Sequence, residues 1–308
     1  MNDDQSTSGG LETVVVAGAS GLIGRALVAA LEKSGKRVVR LVRRAPGAGE
    51  ARWDPAAGEL APRVLAGATA VVNLSGENIG HRWTAPRREA IRSSRIEATR
   101  TLVTALRAAS PRPAVLVNAS AVGFYGDRGE EIVDEHSTAG TGFLAEVCAA
   151  WETETRAAEA LGVRVAMLRF GTVLTRDGGA LAKMLPLFRL GLGGRLGSGR
   201  QWMSWVALHD LVRAVEWVIA DARCAGVFNV VAPEPVRNAD FTRALARSLH
   251  RPALLPAPRW ALRAVLGGMA DEALLASTRA VPRRLEESGF HFAEPTLAEV
   301  LRESVGGS

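Results

Sequence analysis

The stretch "LETVVVAGASGLIGRALVAALEKSGKRVVRLVRR", residues 11–44, decides how the rest of the chain is read. Its "TVVVAG" is a continuous apolar, β-branched run, the pattern of a strand buried on both faces of a parallel sheet. "LIGRALVAALEKSG" carries apolar residues at helical spacing and stops at Gly35, a natural glycine for a helix end. "RVVRLVRR" reads as a second strand. Between the first strand and the helix stand Gly18, Gly21 and Gly24, spaced GxxGxxG. Gly18 permits the tight reversal, Gly21 lets the backbone approach a pyrophosphate, and Gly24 allows the helix to pack closely on the strand. The helix then offers free N–H groups and the positive end of its dipole to phosphates. Three glycines alone make only a turn. Set between a buried strand and an amphipathic helix, they point to a dinucleotide, with Gly18, Ser20, Gly21, Leu22, Ile23 and Gly24 as its contacts.

The end of the second strand says which dinucleotide. Units that bind NAD usually place Asp or Glu there, to accept hydrogen bonds from the ribose hydroxyls. Here "VVRLVRRAPG" supplies Arg40, Arg43 and Arg44 and no carboxylate. A guanidinium can clamp a 2′-phosphate that an acid would repel. The expected cofactor is therefore NADP(H), held by Arg43, which alternation puts at the strand mouth, and by Arg44.

The alternation of strand and helix continues. "ATAVVNLSG" (68–76) reads as a strand running into a small-residue loop, so Leu74, Ser75 and Gly76 join the expected cofactor contacts. Residues 84–109 form a long helix, "RPAVLVNASA" a strand, 141–161 a helix, and "VRVAMLRFGTVL" (163–174) a further strand. "LHDLVRAVEWVIAD" is a helix and "GVFNVVAP" a last strand. Strands alternating with long helices predict an α/β fold, a doubly wound parallel (Rossmann) sheet whose ligands bind at the carboxyl ends of the strands. Two stretches break the repeat: the glycine-rich, aromatic segment 178–205, and the short proline-punctuated helices after Pro233. They read as a smaller, mostly helical substrate-side lobe (178–205 and 233–308) beside a Rossmann domain (11–177 and 206–232). Residues 1–10 read as a disordered tail.

Composition narrows the class. At 47% hydrophobic and 23% charged, the 308-residue chain is that of a globular protein. No apolar run reaches the roughly 18 residues that cross a bilayer, so no membrane partner is expected. The polar, acidic start is the reverse of a secretory leader. Two distant cysteines, Cys148 and Cys224, make neither a disulfide framework nor a metal spacing, and they suit a reducing cytoplasm. A net charge of +6 raises the question of nucleic acid. The basic residues are almost all arginines scattered along the chain, without a dense block, so no nucleic acid is expected.

Taken together, "GASGLIG", "VVNLSGENI", "SSRIEATRTLV", "SAVGFYG", "VCAAWE", "LRFGTVL", "GLGGRLGSGRQWMSW", "GVFNVVAPEPV" and "PRRLEESGFHF" resemble the extended short-chain dehydrogenase/reductase superfamily of NAD(P)-dependent epimerase/dehydratase type. They are most similar to an atypical bacterial branch of nucleoside-diphosphate-sugar epimerase-like proteins. The resemblance covers most of residues 13–300. It implies an NADP(H)-dependent oxidoreductase or epimerase-like enzyme working by hydride transfer on a small carbonyl or alcohol substrate, and it suggests a homodimer. It also implies a Tyr-x-x-x-Lys pair on the helix after the "VGFYG" segment. That pair is impossible here. The only tyrosine, Tyr125, has Gly129 four residues on, and the three lysines have Ala29, Glu32 and Gly179 four residues before them. Alignment through Glu152 puts Leu144 at the tyrosine position and Cys148 at the lysine position. The loss leaves open a second class, a non-catalytic NADPH-binding sensor or protein-interaction module.

Three residues remain as catalytic candidates. Ser120 ends a strand at the cofactor rim, where it can hold a substrate oxygen or merely cap the local backbone. Tyr125 lies five residues on and can offer its hydroxyl to the same space or pack as a core ring. His209 is a candidate proton donor, and followed by Asp210 it equally suits a helix start. On the substrate side, "GSGRQWMSW" offers Arg200, Gln201, Trp202 and Trp205 to an anionic or planar ligand, against the reading of an ordered hydrophobic lid. "SSRIEATR" (93–100) is read as a packing segment, Cys148 as an inert buried thiol. No metal spacing is present.

Overall fold

The computed structural model describes residues 12–305; the tail expected at 1–10 lies outside the described residues. In chain order the first half runs β1 (Thr13–Ala17), α1 (Leu22–Lys33), β2 (Arg37–Val42), β3 (Glu50–Asp54), β4 (Glu59–Leu60), β5 (Ala70–Asn73), α2 (Ala85–Ala108), β6 (Val115–Ala121), β7 (Ile132–Val133) and α3 (Phe143–Arg156). The second half runs β8 (Arg164–Phe170), β9 (Thr172–Leu174), α4 (Gly179–Arg189), β10 (Trp202–Met203), β11 (Trp205–Ala207), α5 (Leu208–Ala220), β12 (Gly226–Val230), β13 (Val236–Arg237), α6 (Asn238–Ser248), α7 (Arg259–Leu266), β14 (Arg279–Ala280), α8 (Arg283–Glu287) and α9 (Leu297–Val305). No described helix is long and apolar enough to cross a membrane.

Eight strands form the main sheet in the order β12-β8-β6-β5-β1-β2-β3-β4. All neighbours are parallel except β3 and β4. Strand alternation divides β1 between two cores. Val14 and Val16 pack with Leu27 and Leu31 of α1 and Leu211 and Val215 of α5. Val15 and Ala17 pack with Leu102 and Leu106 of α2 on the other face. The order reverses direction at β1, which has β2 on one side and β5 on the other, and this opens a crevice above the carboxyl ends of those strands.

The sequence reading differs from this fold in several places. β3 and β4 were not expected, because "EARWD" is too polar to read as a strand; it pairs with β2 and buries only Trp53. The strand expected over 163–174 is interrupted at Gly171. There the chain leaves the main sheet, and β9 pairs with β11 instead. A side chain at Gly171 would lie 2.7 Å from the Ser204 carbonyl oxygen. The helix expected over 141–161 ends at Arg156, followed by a separate 3₁₀ turn at Glu159–Leu161. The last helix, α9, was not read as one. The C-terminal third is stitched back into the rest by short pairings, β7 with β14 and β10 with β13.

Candidate functional site

The glycine turn forms the floor of the crevice. Gly18 has φ +78°, and a side chain there would meet the carbonyl group of Leu74 at 2.7 Å, so the loops after β1 and β5 touch. A methyl group at Gly24 would lie 2.2 Å from the Gly18 oxygen. The N-terminus of α1 has Gly21 as its cap, no side-chain acceptor and no acid in its first turn. Its first N–H groups and its dipole thus have no side-chain partner among the described residues, beside exposed Ser20 and Gly21. Leu22 is half-buried under Gly178, and Ile23 packs onto the core. These features fit a pyrophosphate.

At the mouth of β2 the arginines separate. Arg44 holds Glu50 through two bonds of 2.7 and 2.6 Å, and Glu50 also accepts from the Gly47 N–H at 2.7 Å. Arg40 is paired with Glu32. Arg43 is exposed and has no partner among the described residues. Arg44 is thus paired with Glu50 of the unexpected β3 while its side chain stays exposed, and Arg43 carries no partner among the described residues.

Beneath the β5 loop, Asn73 donates to Asn118 at 2.7 Å and to Thr99 at 3.1 Å, and accepts from the Ser75 N–H at 3.1 Å. This fixes the course of Leu74, Ser75 and Gly76 along the crevice. Gly76 lies flat against the guanidinium of Arg95, a residue that sequence reading assigned to packing.

Ser120 and Tyr125 are not free at the rim. The Ser120 hydroxyl, 2% exposed, donates to Glu152 at 2.7 Å. Glu152 is gripped by Arg169 through bonds of 2.7 and 2.8 Å. Arg169 donates in turn to the Tyr125 hydroxyl at 2.9 Å, and Tyr125 donates to Asn229 at 2.7 Å. Arg169 also lies 3.4 Å from the centre of the Phe124 ring. Tyr125 is fully buried, and burial pushes its hydroxyl up to about 12 despite the neighbouring Arg169. Both residues are corrected from rim candidates to members of a buried network joining β6, α3, β8 and β12.

Leu144 and Cys148 occupy one side of α3. Leu144 packs on Gly123, and its N–H donates to the Glu272 carboxylate at 2.8 Å. Cys148 is buried, and burial, followed by nearby Glu152, pushes its thiol up to about 11. It is not a thiolate at neutral pH.

The remaining candidates are scattered. His209 is exposed on α5 and lines a surface cleft with Ala26, Ala30, Leu174, Glu294 and Glu303, without Ser120 or Tyr125. Gln201 is buried and donates to the carbonyls of Leu196 and Leu274, both at 3.1 Å. Trp202 donates to Glu130 at 2.9 Å and lies between Arg237 and Arg279. Trp205 is fully buried and donates to the Glu234 carbonyl at 3.0 Å. Gln201 and Trp205 are thus buried supports of the segment, while Trp202 keeps part of its ring exposed. Arg200 alone exposes a side chain without a hydrogen-bond partner among the described residues.

Comparison with known proteins agrees with the crevice. The model of the NAD dependent epimerase/dehydratase family matches residues 14–231. A second model, described as a domain of unknown function (DUF1731), matches residues 257–304. An epimerase family protein of Mycobacterium bovis is 49% identical over 94% of this chain and 96% of its own length. A chloroplastic epimerase family protein of Arabidopsis thaliana, an SDR39U1 homolog, is 39% identical over 94% of this chain and 86% of its own. The crystal structure of the human epimerase family protein SDR39U1 with NADPH superimposes with a TM-score of 0.88, at 32% identity, over 96% of this chain and all of that one.

Proposed function

Because the chain belongs to the NAD dependent epimerase/dehydratase family, we propose that it binds NADP(H) across the β1–β2–β5 crevice and acts as an epimerase-like oxidoreductase. The observation that carries the cofactor is Arg43: an exposed guanidinium with no protein partner among the described residues, at the strand mouth where an acid would select NAD. The human relative crystallised with NADPH supports the same reading. When bound, the cofactor supplies or takes up a hydride. The chain's own part is to seat the pyrophosphate on α1, the 2′-phosphate on Arg43, and the nicotinamide half along Ser75, Gly76 and the end of β6. The substrate is a small molecule with a carbonyl or alcohol carbon. With the Ser120 and Tyr125 hydroxyls committed, the proton of that reaction comes from bound water or from the substrate itself.

Titration with NADPH and NADH, followed by tryptophan emission, tests the reading. A charge-assisted hydrogen bond contributes about 1.5–3 kcal/mol, so Arg43→Ala should weaken NADPH roughly tenfold or more and leave NADH unchanged. Equal loss of both, or of neither, would remove the assignment. A second reading, a non-catalytic NADPH sensor, draws on the same closed network and on Leu144 and Cys148, which offer no titratable pair at neutral pH. Oxidation of NADPH with any member of a carbonyl and nucleotide-sugar panel decides for the enzyme. Tight, redox-dependent partner binding without turnover decides for the sensor.

A further inference from the structure

Arg95, in the middle of α2, is held as a flat plate. A methyl group on Gly76 would stand 3.0 Å from its Cζ and 3.1 Å from Nη2, and Cζ lies 5.2 Å from the centre of the Trp151 ring on the α3 side. Nη1 donates to the carbonyls of Ile91 at 2.9 Å and Glu77 at 3.2 Å. Nε and Nη2 have no partner among the described residues. The Glu77 carboxylate, which acts on the guanidinium electrostatically, is itself hydrogen-bonded to Arg87. Burial lowers the affinity of Arg95 for its proton. A half-buried cation with an unused donor edge carries a desolvation cost that an oxygen-rich ligand would offset.

We infer that Arg95 is a cofactor-binding residue whose Nε–Nη2 edge takes the vicinal hydroxyls of the ribose next to the nicotinamide. This rests on the cofactor reading above. Gly76, which lies on the plate, belongs to the loop assigned to the cofactor, and Cys148, on the other side, is close enough to interact with the guanidinium electrostatically. Cys148 stands where the resemblance expects a lysine. The positive charge that α3 does not carry therefore reaches the crevice from α2. A planar fork of two donors suits a vicinal diol better than a point ammonium does.

NADPH and NADH share this diol, so the test differs from that of Arg43. The wild type, Arg95→Met, Arg95→Gln and the double variant Arg95→Met/Cys148→Lys are titrated with both coenzymes, and thermal melting monitors folding. Arg95→Met should weaken both by the same factor, about tenfold. Arg95→Gln, which can still donate to the Ile91 and Glu77 carbonyls, should show the same loss with its fold intact. The double variant, which moves the cation onto α3, should recover most of the binding. If the wild type binds no NADPH, the cofactor reading itself falls. If the wild type binds and both neutral variants bind equally well, this inference alone falls. A loss that tracks a lowered melting temperature, with no recovery in the double variant, marks Arg95 as a packing residue and overturns it as well.

Discussion

The Tyr125 hydroxyl is claimed from both sides, donating to Asn229 and accepting from Arg169. Neither partner is near in sequence, which is why a lone tyrosine beside a rim strand reads equally well as a proton donor. Tyr125→Phe should leave coenzyme affinity unchanged and destabilise the fold by about 1–3 kcal/mol in urea unfolding, because it strips one bond from each of two buried polar groups. A fall in coenzyme affinity without loss of stability would return Tyr125 to the crevice. The arginines after β2 teach the same lesson. Alternation was enough to aim Arg43 at the strand mouth. It could not show that Arg44 is paired, because its partner, Glu50, sits on a strand the pattern hides.

Elements were legible where burial wrote them into the pattern. β1 is apolar on both faces because both faces meet a core, and α1 and α5 show their stripes because each buries one side. β3 escaped because a place next to the sheet's edge, between β2 and the two-residue β4, asks for backbone pairing and one buried tryptophan, and little apolar sequence. The break at Gly171 escaped because each half is apolar by itself. α3 shows a dependence no local pattern could carry. Its cap residue, Gly142, offers no side chain, and the acceptor for the Leu144 N–H is Glu272, from the C-terminal region. A carboxylate at a helix N-terminus is favourable through hydrogen bonding and the helix dipole. Glu272→Ala should cost about 1 kcal/mol of unfolding free energy, measured by denaturant titration, with Glu272→Gln recovering part of it. No change in either variant would mean that solvent caps α3 equally well.

Across the molecule, the residues just before α9 are bound to α5 through an acid. Buried Asp210 of α5 accepts from the N–H groups of Ala293 and Glu294 at 2.8 and 2.9 Å. The Glu294 carboxyl, buried beside Glu303, is pushed up to about 8, first by burial and then by its bond to that neighbour. The folded chain therefore holds a proton that the unfolded chain releases near the ordinary carboxyl value. Stability from this site is complete in acid and declines as pH rises from about 4.5 toward 8. Glu294→Gln should flatten that decline in melting temperature, and an unchanged slope would exclude Glu294 as its source. Another global property is the net charge of +6, which favours approach of a polyanionic ligand. Arg43, proposed above as the 2′-phosphate contact, stands in open water with its charge unshielded by protein. Ions compete at such a contact, since the screening length shrinks from about 10 Å at 0.1 M salt to about 3 Å at 1 M. Raising the ionic strength should draw the ratio of NADPH to NADH affinity toward one in paired calorimetric titrations. The choice between the two coenzymes would then be set by the surrounding electrolyte as well as by the chain.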